Sequence, residues 1–316
     1  MARRDPPPDG GTAARFSRRG LAAAVAAFSI WGLFPIYLHA LGGVPPLQVI
    51  AHRIAWSCLL LLAWMLRRGE LGCLAMILAR PALLARLALT ALLISCNWLV
   101  YVWSVAHEHI VDTSLGYYIN PLVNVLLGVV VLRERLNRAQ WTAVGLAALA
   151  VLYLALLGGR PPWIAGTLAV SFSLYGFVRK IISVDALPGL TTETLLLMPL
   201  AVGYLAWCQW TGSGALTTQG PVAATLLIAS GLVTAIPLFL FAYGARALPY
   251  STVGVLQYLA PTLQLLCGVA LFHESFGPAT AAGFALIWSA LLVYAADGLW
   301  RAHRAARPAA PGSSAA

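Results

Sequence analysis

Along its length the chain is a series of apolar runs separated by short polar breaks. A hydrocarbon core ~30 Å thick needs roughly 20 apolar residues in α-helix. That ruler predicts spans at 20–41, 47–66, 86–106, 113–132, 139–157, 163–182, 190–209, 223–245, 251–272 and 279–299. The runs are continuous and lack the alternation of barrel strands, so helices, which satisfy their own backbone in lipid, are the predicted element. The expected fold class is an all-α polytopic membrane protein with ten transmembrane helices.

Basic residues mark the breaks unevenly. Of the twenty Lys and Arg, Arg160 alone falls on one side of the predicted membrane and Arg53 falls inside a span, which leaves eighteen on the other side. These include Arg67, Arg68, Arg80, Arg86, Arg133, Arg135, Arg138, Arg179, Lys180 and Arg246. Positive charge concentrates in cytoplasmic loops, so both termini are expected in the cytoplasm and the chain in the inner (cell) membrane.

The pattern also repeats. Shifted by 140, Tyr118, Pro121, Leu126, Gly128, Val129 and Glu134 meet Tyr258, Pro261, Leu266, Gly268, Val269 and Glu274. Shifted by 144, Phe28-Ser29-Ile30-Trp31-Gly32 meets Phe172-Ser173-Leu174-Tyr175-Gly176. Apolar bias can supply matching Leu and Val, but not matching Pro, Gly, Glu and aromatic positions. Five spans is an odd number, so the second copy enters from the opposite side and the halves are expected to be inverted repeats. The predicted organisation is a basic cytoplasmic tail 1–19, a first five-span repeat 20–158, a second 163–299 and a cytoplasmic tail 300–316.

Composition narrows the function. With 60% hydrophobic and 9% charged residues the chain has too little polar surface for a soluble globule. The net charge of +10 sits in loop clusters and not on one face, so no nucleic-acid partner is expected. Cys58, Cys73, Cys96, Cys208 and Cys267 are scattered without metal-ligand spacing. His107-Glu108-His109 lacks convergent ligands and no metal is expected there. No phosphate-binding loop or nucleophile signature occurs, so no cofactor, no catalytic residue and no enzyme activity are expected.

Polar residues inside spans are the candidates for function. Tyr117, Asn120, Asn124 and Gly128 share one helical face, and Gln257, Pro261, Gln264 and Gly268 repeat the stripe in the second half. Two readings stay open for both: helix–helix bonding and cavity lining. Pro121 and Pro261 each deprive a carbonyl of its donor and predict kinks. Arg53 lies about 9 Å into its span at 1.5 Å per residue. It either snorkels outward or faces a cavity as an anion-attracting cation, with His52 beside it. Glu193, with His52, is a candidate proton-coupling group, against a structural acid near a helix N-terminus. Trp31 and Tyr175, at equivalent places, are read as opposing walls of a pocket or as packing, with Asn97, Trp98 and Tyr258 in the same interior.

The segments His52-Arg53-Ile54-Ala55-Trp56-Ser57, Asn97-Trp98-Leu99-Val100-Tyr101-Val102-Trp103, Ser114 through Asn124, and Phe172 through Lys180 resemble the RarD group, often labelled chloramphenicol-sensitive protein RarD. This group belongs to the EamA-domain drug/metabolite transporter superfamily. The resemblance covers residues 18–299 and implies a ten-helix permease with two EamA repeats, a central cavity and secondary export of small metabolites or drugs. It implies no particular substrate and no ligand motif.

The expected function is therefore a secondary transporter, an exporter, of a small solute by alternating access. Its partners would be that solute, the lipid bilayer and, as a coupling ion, protons, in a monomer or homodimer. The rival readings are a lipid scramblase or flippase-like protein, and a membrane scaffold without flux.

Overall fold

A computed structural model describes residues 17–133, 136–157, 162–248 and 250–305. Glu134, Arg135, Arg160 and the tail residues Arg3, Arg4, Arg15 and Arg307, used above for the repeat and the charge count, lie outside the described residues. Among the described residues the structure is all helix. The elements are α1 (Arg18–Gly32), α2 (Phe34–His39), α3 (Pro46–Arg68), α4 (Leu71–Leu78), α5 (Pro81–Ala106), α6 (Ile110–Leu132) and α7 (Arg138–Leu157). There follow α8 (Trp163–Ile181), α9 (Ala186–Trp210), α10 (Ala215–Thr218), α11 (Gly220–Ala247), α12 (Tyr250–Leu256), α13 (Leu259–Leu266) with a π-helical turn Cys267–Leu271, and α14 (Pro278–Ala305).

Eight of these segments are long and apolar enough to cross a membrane: α1 with α2, then α3, α5, α6, α7, α9, α11 and α14. Two of the ten expected spans fall short of that standard. α8 has 19 residues and carries Arg179 and Lys180 in its last turn. The stretch expected at 251–272 is broken between α12 and α13 and again at the π turn, leaving Leu259–Leu271 as a short apolar helix.

Prolines explain the interruptions. Pro261 removes a donor and crowds the carbonyl four residues back, at Gln257, where α12 has just ended. Pro35 acts likewise on Trp31, and the helix expected at 20–41 breaks at Leu33 between α1 and α2. Pro121, in contrast, sits inside a continuous α6. The short helix α4 occupies a stretch expected as loop, and α9 starts at Ala186, four residues before the expected 190.

The helices pack as a bundle. α1 lies against α11 and α13, α3 against α9 and α11, α5 against α8 and α9, α6 against α8 and α13, and α7 against α14. Large apolar side chains stay on the outside, among them Leu200 at 72% and Leu292 at 71% exposure, which suits lipid and not water.

Two loop contacts tie the bundle together at one end. Gln48, at the start of α3, donates to the Ser213 carbonyl at 2.9 Å and accepts from the Ala215 N–H at 2.8 Å. Glu274, between the π turn and α14, accepts from the Ile110 and Val111 N–H groups at 2.6 and 2.8 Å. Those are orphan donors of the first turn of α6, and a carboxylate there also meets the positive end of the helix dipole. Burial pushes the Glu274 carboxyl up, and the two N–H bonds pull against that. Glu274→Ala strands both donors and is expected to cost ~1–3 kcal/mol, read as a lowered thermal unfolding temperature in detergent, with Glu274→Gln intermediate.

Candidate functional site

Arg53 is the centre of the site. Its side chain does not snorkel: it is 7% exposed and points into the bundle. Nε donates to Thr234 Oγ1 on α11 at 2.8 Å, a hydroxyl that itself donates to the Ser230 carbonyl at 2.9 Å. The guanidinium carbon lies 4.2 Å from the Trp98 ring centre and 4.8 Å from that of Phe34. Cation–π contact of this kind suits the planar, weakly hydrated guanidinium. Tyr37, Tyr101 and Tyr117 lie close enough to feel its charge. The tyrosines belong to one aromatic group: Phe34 stacks on Tyr37 and Tyr101 with ring centres 5.3 and 6.0 Å apart, and Tyr101 meets Tyr117 at 5.9 Å. Among the described residues no carboxylate pairs with Arg53; the ion pairs are Arg68–Glu70, His109–Asp112 and Arg179–Glu193.

Asn97 and Tyr117 join that group as fixed parts. Asn97 Nδ2 donates to the Leu168 carbonyl and to Ser171 Oγ, both at 3.0 Å, and its Oδ1 accepts from the Tyr117 hydroxyl at 3.2 Å. One amide thus holds α5, α8 and α6 together. Asn120 also bonds across helices, accepting from Ser173 Oγ on α8. For Asn97 and Asn120 the helix-bonding role is visible in these contacts. His52 is buried at 4% exposure one residue from Arg53, on a neighbouring face of α3, and makes no hydrogen bond among the described residues.

The remaining candidates form two separate groups. In one, Gln264 Nε2 donates to the Trp31 carbonyl at 3.2 Å. That carbonyl lacks its usual helical donor because residue 35 is proline. The Trp31 ring lies 5.7 Å from both Phe28 and Phe241, away from Tyr175. Gly32 packs so closely that an added Cβ would stand 2.6 Å from Leu263 Cβ and 3.1 Å from the Ala260 carbonyl oxygen. Tyr258 stacks on Tyr118 at 6.3 Å, Pro261 is buried, and Gln257 is exposed beside the break.

In the other group Asn124 is exposed, although it lies on the face of α6 that carries Tyr117 seven residues earlier. Gly176 on α8 is exposed too, with nothing within 4 Å of where a Cβ would stand. The α6–α8 contact runs through Gly116 against Leu168 and Asn120 against Ser173, then opens.

Glu193 lies in the eighth position of α9, so the helix-terminus reading gives way: the helix begins four residues earlier than expected, and Glu193 is beyond its first turn. It is 1% exposed, accepts from Thr90 Oγ1 at 2.7 Å and from the Tyr175 hydroxyl at 3.3 Å, and faces Arg179 Nε at 3.7 Å. Gly189 makes room for that guanidinium against α9. Thr90, Thr234, Phe34, Tyr37 and Arg179 were not among the sequence candidates. Arg179 was counted as a loop cation because it stands next to Lys180 at a helix end.

Comparison with known proteins agrees with this architecture. A model of the EamA-like transporter family matches residues 18–156. The chain is 44% identical to Protein RarD of Streptomyces exfoliatus, over 91% of each chain. It is 39% identical to Protein RarD of Escherichia coli strain K12, over 93% of this chain and 99% of that one. An uncharacterized transporter of Vibrio cholerae is 41% identical over 92% and 96%. A solved crystal structure, 20% identical, superposes with a TM-score of 0.53 over 87% of this chain and 96% of the other, a likeness of fold.

Removing the Glu193 carboxylate leaves the largely enclosed Arg179 without its counter-charge. Glu193→Ala is expected to lose ~3 kcal/mol of stability, and Arg179→Ala in that background to add little, a non-additivity read by thermal unfolding of the two single variants and the double.

Proposed function

The chain belongs to the RarD group of the EamA-like transporter family, and from that premise we propose that it is a secondary transporter that exports a small solute by alternating access between two inverted five-helix repeats. In this reading α8 and the broken α12–α13 segment are the two further spans, which makes ten. The basic residues of the loops support an inner-membrane location with both termini in the cytoplasm. The helix pairing supports the repeat. Exchanging the halves turns α1–α11 into α8–α5, α6–α8 into α13–α1 and α3–α11 into α9–α5, while α3–α9, α6–α13 and α7–α14 map onto themselves.

The observation that supports the mechanism is one contact that is closed while the positions matching it in the other half are exposed. Gln264 and Leu263 of one repeat close on Trp31 and Gly32. Their counterparts at offset 140 are Asn124 and Val123, and those of Trp31 and Gly32 at offset 144 are Tyr175 and Gly176. That second contact is open, with Asn124 and Gly176 both exposed. Inverted repeats caught in different states are what a pump open to one side requires. With the charge-based orientation, the closed junction lies toward the outside and the open one toward the cytoplasm. In the opposite state Asn124 and Val123 meet Tyr175 and Gly176, whose carbonyls keep a second lone pair for the amide. Glu193, bonded to Tyr175, stands at that junction and is the proposed coupling carboxylate, with His52 the second candidate.

The test uses purified protein in liposomes with all five native cysteines replaced. Asn124→Cys is expected to react with an impermeant maleimide from the cytoplasmic face. Adding Gly32→Leu, which the present closure cannot accept, is expected to cut that labelling. Gly176→Leu is expected to leave it intact. Both glycine variants are expected to slow solute counterflow at least about tenfold, the factor equivalent to ~1.4 kcal/mol. Labelling that ignores both glycines contradicts the reading, as does counterflow no faster than in empty liposomes for a panel of drugs, amino acids and organic anions. A proton-coupled flux is expected to lose its response to an imposed pH gradient in Glu193→Gln; a flux that ignores the gradient from the start removes Glu193 and His52 as proton carriers.

Lipid movement is the second reading, favoured by the exposure of two polar side chains, Asn124 and Gln257. The same liposomes carrying a fluorescent lipid decide it: loss of inner-leaflet fluorescence to an external reductant, faster than in empty liposomes, favours scrambling over solute transport.

A further inference from the structure

Two groups in the aromatic cluster around Arg53 are left able to donate a hydrogen bond. Arg53 spends Nε on Thr234, and its two terminal nitrogens have no partner among the described residues. The Tyr101 hydroxyl is buried without a partner as well. Three other polar groups of this cluster are engaged: Tyr37 donates to the Leu226 carbonyl at 2.8 Å, Tyr117 to Asn97, and Asn97 to α8. A guanidinium buried in a bundle and lacking a counter-charge calls for an anion with two acceptor oxygens in one plane.

The walls restrict which anion. Phe34, Trp98, Tyr101 and Tyr117 surround the cation with ring faces and edges, an apolar lining that suits a flat hydrocarbon body. One fixed positive charge balances one negative charge; a phosphate monoester would bring a second into an apolar site. A zwitterionic amino acid would bring an ammonium, and no carboxylate at the site receives it, since the described ion pairs all lie elsewhere. Chloride fits the charge but not the fork.

We propose that Arg53, with the Tyr101 hydroxyl, binds the carboxylate of an aromatic monocarboxylate whose ring lies against Phe34, Trp98 and Tyr117. The proposal rests on the transporter reading for the solute's passage, and the binding itself is testable without flux.

The experiment is equilibrium binding of 2-naphthoate to the purified full-length protein, followed by calorimetry, beside acetate, 2-naphthamide, naphthyl phosphate and phenylalanine. Naphthoate is expected to saturate the protein, and each of the others to bind at least about tenfold more weakly. Arg53→Gln is expected to abolish naphthoate binding, and Arg53→Lys, which keeps the charge but loses the fork, to weaken it at least about tenfold. Tyr101→Phe removes only an unpartnered hydroxyl, so the fold is undisturbed, and a severalfold weakening is expected. Equal binding of naphthoate and its amide overturns the proposal, as does naphthoate affinity unchanged in both Arg53→Gln and Tyr101→Phe. Flux of another solute without naphthoate binding defeats this inference and leaves transport standing; naphthoate binding without any flux does the reverse.

Discussion

Hydrocarbon offers a polar group nothing to bond, and this one constraint organises the molecule. Buried polar side chains bond a carbonyl of their own helix, as Ser104 and Thr194 do, or find a partner on another helix, and a few are left unspent. Asn97, Asn120 and Gln264 find partners, and so set which helices touch. Glu193 finds three groups at once and joins α5, α8 and α9. Arg53 is held at Nε and by two aromatic rings while the rest of its fork is unspent.

The same constraint gives the broken helices a purpose. A proline in a span leaves a carbonyl to be served by a neighbour, and Pro35 leaves that of Trp31 to Gln264. The junction of α1 with α13 is therefore built on a helix defect. The matching junction of α8 with α6 has Arg179 where the first has Pro35, so α8 runs unbroken and its contact stands open at Gly176. The two junctions thus differ in local sequence as well as in packing.

Much of this was legible in the residues. Long apolar runs gave the all-helical membrane class, because lipid imposes length and hydropathy so strongly. The burial of Arg53 was open from sequence, since a cation near a span end can lie either way, and only the rings of Phe34 and Trp98 decide it. The break at Leu33 was missed because hydropathy continues through Pro35 unchanged. Thr90, Thr234 and Tyr101 were missed because a hydroxyl in an apolar run looks like packing until its neighbour from another helix is known. Trp31 and Tyr175 turn to different neighbours, Phe241 and Glu193.

The central claim is that the open junction closes in the working cycle. Cysteines at Val123 and Gly176, in the cysteine-free protein in liposomes, test it most directly. A disulfide needs the two Cβ atoms ~3.5–4.5 Å apart, and here no atom of another segment lies within 4 Å of where a Cβ at residue 176 would stand. The account predicts that mild oxidation nevertheless forms the bond, and that the linked protein stops exchanging solute until it is reduced. An active protein in which the two cysteines never join under any solute or ion gradient would contradict it.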